Sequence, residues 1–266
     1  MPTRVAIVST ARTPFTRALK GELKDTRPDT MAAFVIKEAL ARAPGIKPAD
    51  VEDIVLGCAM PEAEQGMNVA RLAGLLAGLP DTVPAMTINR FCSSGVQSIA
   101  QVAQAIIAGQ YDVGIAGGVE SMTLIPMGGN KVSANPDLME KYPEVYTSMG
   151  ATAEKVAARF NVSREEQDKF AFDSQMKAKI ARTEGRLKDE IAPMKVRVFD
   201  DAGRPNDITL SEDTILRAET TLEGLTKLKP AFDPKGTVTA GNASPLTDGA
   251  AAAVVVSEAK VKALGL

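Results

Sequence analysis

The sequence predicts an α/β protein built around a mainly parallel sheet. Two observations carry that class. Up to about residue 122, short apolar runs alternate with stretches of helical spacing, as βα units do. The composition is also that of a folded globular chain, with 45% hydrophobic and 24% charged residues among 266. By length it amounts to about 1.8 average domains.

Each element has a local reason. Val5-Ala6-Ile7-Val8 reads as a first buried strand. Asp29 or Thr30 then caps a helix with Met31, Phe34, Val35, Ala39 and Leu40 on one face, and Pro48 lies past its end. Residues 51–57 form a second strand, 68–77 a helix broken by Gly78-Leu79-Pro80, and 85–88 a third strand. Asn89-Arg90-Phe91-Cys92-Ser93-Ser94-Gly95 leads into a helix whose Val96, Ile99, Ala100, Ala103, Ile106 and Ile107 share a face, with Gly109 past its end. A glycine-rich strand occupies 112–119.

From about residue 123 the texture turns polar, with Gly-Gly and Pro punctuation, and reads as an inserted, surface-lying domain. Its clearest local signal is the capping box Ser163-Arg164-Glu165-Glu166, which starts a helix running to just before Gly185. Residues 249–256 read as a further buried strand and 257–264 as the start of a helix.

Composition narrows the chemistry. Thirty-one Lys+Arg against 33 Asp+Glu leave a net charge of -2, so no global basic field collects nucleic acid. With 0 His, the usual near-neutral base and the commonest metal ligand are missing from these residues. The two cysteines, Cys58 and Cys92, form no CxxC pair, which gives little support to a zinc site or a disulfide framework. No run reaches the ~18 uninterrupted apolar residues of a membrane span, and Met1 to Pro14 lacks a long apolar leader core. A cytoplasmic protein without a transmembrane helix is expected.

Cys92 falls at a strand-to-helix junction in this pattern. Free N–H groups and the dipole at a helix start favour a thiolate over a thiol, and the same N–H groups stabilise the oxyanion of an attached thioester. On context alone a buried inert cysteine stands beside that reading, since free cysteine is among the most buried residue types.

The neighbours of Cys92 change the weighting. Asn89-Arg90-Phe91-Cys92-Ser93-Ser94-Gly95 resembles the nucleophile motif of the thiolase family. Gly57-Cys58-Ala59-Met60-Pro61-Glu62, Gln65 to Arg71, and Gly117-Gly118-Val119-Glu120-Ser121-Met122 agree with it in order and spacing. Ser148 to Glu154 and Gly236 to Ser244 are similar to segments of the family's loop domain, so the resemblance covers essentially the whole chain.

The resemblance implies a thiolase-like layered α/β fold, a mixed sheet with helices on both faces. It divides the chain into an N-terminal α/β domain at 1–122, a CoA-binding loop domain at 123–247 and the opening strand and helix of the C-terminal domain at 248–266. It makes Cys92 the acyl-thioester nucleophile of an acetyl-CoA C-acyltransferase that cleaves 3-ketoacyl-CoA or runs the reverse condensation. Cys58 is left as a core residue. The positions matching the family's CoA contacts are Met149, Arg217, Leu228, Phe232, Ala240 and Ser244. Coenzyme A enters as substrate, with no cofactor and no metal, and a homo-oligomer, dimer or tetramer, is implied.

Without the resemblance, Arg217 reads as a solvated charge and Leu228 and Phe232 as ordinary packing. Gly224 stands where some relatives carry a serine near the nucleotide. Ser148 stands where acetoacetyl-type members often carry a histidine and, with Pro126-Met127-Gly128-Gly129-Asn130, resembles the fatty-acid-degrading branch. The family's catalytic His, its Asn-containing oxyanion site and its second Cys have no counterpart in these residues. The chain therefore reads as part of a family member whose cysteine helix keeps an apolar face open for the missing half. Two further readings remain: a catalytically incompetent half that binds CoA or pairs with a C-terminal thiolase half, and a ketosynthase-type condensing enzyme, which the loop-domain matches disfavour.

Overall fold

A computed structural model describes residues 4–266. In chain order the first part holds β1 (Val5–Arg12), β2 (Thr16–Arg17), α1 (Pro28–Ala41), β3 (Asp53–Gly57), α2 (Val69–Leu76), β4 (Ala85–Ile88), α3 (Ser94–Ile107) and β5 (Val113–Ser121). There follow α4 (Pro136–Lys141), α5 (Met149–Phe160), α6 (Arg164–Thr183), β6 (Met194–Phe199), β7 (Pro205–Leu210), α7 (Leu222–Thr226), β8 (Thr247–Ser257) and α8 (Glu258–Leu264). None of the helices among the described residues is long and apolar enough to cross a membrane.

The chain divides into two compact units, one of residues 1–130, 189–214 and 246–266, the other of residues 131–188 and 215–245. This differs from the boundaries expected from sequence. The hairpin β6–β7 belongs with the first unit because Met194, Val196 and Leu210 join its core. Arg12 also holds the flanks of the hairpin, pairing with Glu190 at 2.9 Å and Asp213 at 2.7 Å. The strand expected to open a further domain, β8, likewise completes the first unit's sheet.

That sheet has the order β1-β8-β5-β3-β4, with β2 pairing on β8. β3 pairs in parallel with β4 and β5, whereas β8 runs antiparallel to β1 and β5, so the sheet is mixed rather than mainly parallel. Both faces are covered. Ile54, Leu56, Ile115, Val254 and Val256 meet α1 and α2 on one face, while Val55, Ala116, Ala253 and Val255 meet α3 on the other. The alternation Ile54/Val55/Leu56 is the two-residue period of a strand buried on both sides. Each such aliphatic side chain contributes about 1.5–3 kcal/mol on burial.

Two local expectations are corrected. α1 starts on Arg27 rather than Asp29 or Thr30, because Pro28 takes the first helical position with its φ already set. Asp29 lies inside the first turn and pairs with Arg27 at 2.8 Å. The second correction concerns α3, which turns Ser94, Ser98, Val102 and Ile106 towards the sheet with Ile99 packed beside them, so the expected apolar row faces the core only in part. Val96 is 69% exposed and Ile107 52% exposed, so these two members of the expected row face away from the core.

The second unit is helical. α6 forms as the capping box predicts, with the Ser163 hydroxyl accepting from the Glu166 N–H and the Glu166 carboxylate accepting from the Ser163 N–H. Gly185 follows it in a left-handed conformation, φ +70.

Candidate active site

The parallel strands β3 and β4 end together, with Gly57 opposite Ile88, and Gly57 also faces Gly118 of β5, which runs on to Ser121. The loops beyond the carboxyl ends of parallel strands are where α/β sheets place ligands. β4 runs straight into α3 through Asn89–Ser93, so Cys92 stands immediately before the helix cap, Ser93. Its side chain is exposed, which removes the buried-cysteine alternative.

The turn is sharp. Phe91 adopts φ +47, the left-handed region that costs a non-glycine residue about 1–3 kcal/mol. Four side-chain bonds hold it there. The Arg90 N–H donates to the Ser94 hydroxyl at 2.8 Å, which donates to the Phe91 carbonyl at 2.6 Å. The Ser93 hydroxyl donates to the Arg90 carbonyl at 2.9 Å, and the Phe91 N–H donates to Asn89 Oδ1 at 2.9 Å. A strained strand-to-helix elbow of this kind lifts a nucleophile clear of the sheet.

Glycines let α3 approach closely enough to fix the elbow. A Cβ on Gly57 would lie 2.5 Å from that of Ser94. Ser98, fully buried, accepts from the Gly117 N–H at 3.0 Å and so pins the helix to β5. Beside the elbow, Glu120 accepts from the N–H groups of Ala59 at 2.7 Å and Met60 at 3.3 Å, and from the Gln65 side-chain amide at 2.7 Å.

Cys58 sits under this carboxylate, its Sγ 3.9 Å from Glu120 Oε1, and is 1% exposed. Burial, reinforced by the Glu120 charge, pushes its thiol up to about 12. A raised value keeps the neutral thiol as pH rises, so from about pH 7 to about pH 9 Cys58 stays unreactive. Iodoacetamide on the folded protein is expected to label Cys92 alone, read by peptide mapping. Equal labelling of Cys58 would contradict the geometry.

All six residues matched to CoA contacts lie in the second unit. Met149 opens α5, and the Phe232 ring lies over the next residue, where a Cβ on Gly150 would come within 2.1 Å of it. Leu228 packs over Gly241 beside Ala240, again closer than a Cβ would allow, at 2.4 Å. Ala240 and Ser244 are exposed on the loop that follows Thr239. Arg217 is exposed, its N–H donating to Gln175 Oε1 on α6 at 3.0 Å.

The sequence matches the family described as "Thiolase, N-terminal domain" over residues 5–259. A 3-ketoacyl-CoA thiolase of Bacillus subtilis (strain 168) is 51% identical over 98% of this chain and 67% of its own length. The chain belongs to the thiolase family. The peroxisomal 3-ketoacyl-CoA thiolase A of Mus musculus is 44% identical over 98% of this chain and 62% of its own length. A crystal structure of the Bacillus anthracis acetyl-CoA acetyltransferase superimposes with a TM-score of 0.85 at 37% identity, covering 99% of this chain and 68% of that one. The chain thus spans about two-thirds of the length of these thiolases. Their names are those of enzymes, which favours the catalytic over the non-catalytic reading.

Two carboxylates of the second unit hold segments that carry the residues matched to CoA contacts. Glu154 on α5 accepts from the N–H groups of Thr237 at 2.9 Å and Val238 at 2.8 Å. Asp168 on α6, 1% exposed, accepts from Arg164 at 2.8 Å and from Asn242 at 2.9 Å. Arg164 in turn donates to the carbonyls of Leu225 at 2.7 Å and Leu228 at 3.0 Å. One buried carboxylate therefore joins the segments that carry Leu228 and Ala240. Asp168→Ala is expected to destabilise the second unit by about 3–5 kcal/mol, because Arg164 loses its partner. Hydrogen exchange should show faster exchange across 217–244 while β3 and β5 stay protected.

Proposed function

We propose that Cys92 is the acyl-accepting nucleophile of a thiolase acting on 3-ketoacyl-CoA. The observation that carries this is the exposed thiol on a left-handed elbow at the carboxyl edge of three parallel strands. The Cys92 thiolate attacks the 3-keto carbon, and the C2–C3 bond breaks with its electron pair leaving on the acetyl-CoA enolate, which takes up a proton. The acyl group remains on Sγ as a thioester. A CoA thiolate then attacks that thioester, releasing Cys92 and a shortened acyl-CoA. In this reading, backbone N–H groups at the start of α3 stabilise the oxyanion in both steps. These residues contain 0 His, so the base that takes the Cys92 proton is not an imidazole of this segment.

Within the same reading, Met149, Arg217, Leu228, Phe232, Ala240 and Ser244 contact CoA, with Arg217 serving a phosphate through its guanidinium. The fatty-acid-degrading direction fits the names of the relatives. CoA enters as substrate without a further cofactor, the assembly is a homo-oligomer, and the two unpaired cysteines support a reducing, cytoplasmic setting.

The half-reaction tests the proposal. Protein incubated with acetoacetyl-CoA and no free CoA should release one equivalent of acetyl-CoA and keep one acetyl group on Cys92. Acetyl-CoA release with no protein adduct would contradict a Cys92 thioester.

A further inference from the structure

We infer that Asn89 is the positioning residue of the nucleophile, acting through the left-handed turn at Phe91. The inference rests on the assignment of Cys92 as the acyl acceptor.

The side chain of Asn89 works in two directions. Its Oδ1 accepts from the Phe91 N–H at 2.9 Å, and its Nδ2 donates to the Ala59 carbonyl at 2.9 Å. Ala59 is itself anchored, since its N–H donates to Glu120 at 2.7 Å and Glu120 also holds Gln65 at 2.7 Å. Ala59 is thus held through both its N–H and its carbonyl, by a carboxylate on β5 and by the side-chain amide that follows β4. Asn89 transmits that fixed point to Phe91, whose φ of +47 needs compensating interactions. The other three elbow bonds stay within residues 90–94 and move with the turn. The Nδ2 bond of Asn89 is the one among these side-chain bonds that ties the turn to the loop after β3. Without it the turn can relax, and Cys92, one residue before the helix cap, moves with it.

This predicts a defect in chemistry rather than in substrate binding. Asn89 is exposed, so Asn89→Ala is expected to fold. Its maximal rate of Cys92 acetylation by acetyl-CoA should fall about tenfold, with the half-saturating acetyl-CoA concentration unchanged. Iodoacetamide labelling of Cys92 should slow in parallel. Asn89→Asp keeps the acceptor for Phe91 and should lose less than Asn89→Ala. The decisive variant is Asn89→Ala/Phe91→Gly, in which glycine adopts the left-handed turn without a Cβ penalty, and recovery to within about threefold of wild type is expected.

Equal rates in wild type and Asn89→Ala would overturn the inference, as would a loss that Phe91→Gly does not restore. If wild-type Cys92 takes no acetyl group, the acyl-transfer reading fails by itself, and the labelling rates across the same variants still decide the role of Asn89.

Discussion

Cys92→Ala is expected to abolish covalent acyl uptake while leaving the fold intact. Both parts follow from placement. The thiol is the exposed one of the two cysteines, and Cys58 is buried with its thiol pushed up to about 12, so no second sulfur can take over. Removing an exposed side chain that fills no core position changes stability by about 0.5 kcal/mol or less, and the melting midpoint should stay within about 2 °C of wild type. Cys92→Ser should retain at most a trace of acylation, since an alcohol at a helix start is a far weaker nucleophile than a thiolate. Stoichiometric acyl transfer in Cys92→Ala, measured by intact mass, would show that another group carries the acyl chain.

Gly117→Val is expected to cost the first unit its fold. Gly117 lies in β5 between β8 and β3, and a Cβ there would stand 2.2 Å from the Ala251 carbonyl oxygen. That oxygen is backbone in a central strand, so no rotamer change relieves the clash. Its relief requires β5 and β8 to move apart, which breaks their ladder and the Ser98 bonds that fix α3. Overpacking in a well-packed core costs about 1–3 kcal/mol even where side chains can shift, and a backbone contact lies above that range. Against a total stability of about 5–15 kcal/mol, the variant should lose cooperative thermal unfolding or accumulate as aggregate. Gly95→Ala, where an added Cβ meets nothing within 4 Å, is the matched control and should melt like wild type.

The local half of this architecture was legible in the sequence. The strand at 85–88, the start of α6 at its capping box and the strand-to-helix junction at Cys92 all follow from patterns within a few residues. What was not legible is non-local. β8 is an Ala/Val run buried on both faces, and nothing in it names β1 and β5 as its neighbours. The inner face of α3 was legible only in part, at Ile99 and Ile106, for a related reason. Small polar residues take core positions where the partner surface lies close, and here Ser94 packs on Gly57 while Ser98 accepts from the Gly117 N–H. Asp168 was silent, and the roles of Asn89, Glu120 and Glu154 within their matched motifs were not legible, because their bonds reach 74, 30, 61 and 83 positions along the chain. Of the site residues read from the resemblance, Cys92 stands at the elbow. Phe232 packs on Gly150, next to Met149, and Leu228 on Gly241, next to Ala240, while the Arg217 N–H bonds to Gln175 of α6.

The measurement that bears most directly on Cys92 as acyl carrier is intact-protein mass spectrometry before and after incubation with acetyl-CoA, followed by peptide mapping of the adduct. The expected result is one acetyl group per chain, on the peptide containing Cys92, removed again by free CoA. An unmodified protein, or an acetyl group on any residue other than Cys92, would contradict the assignment.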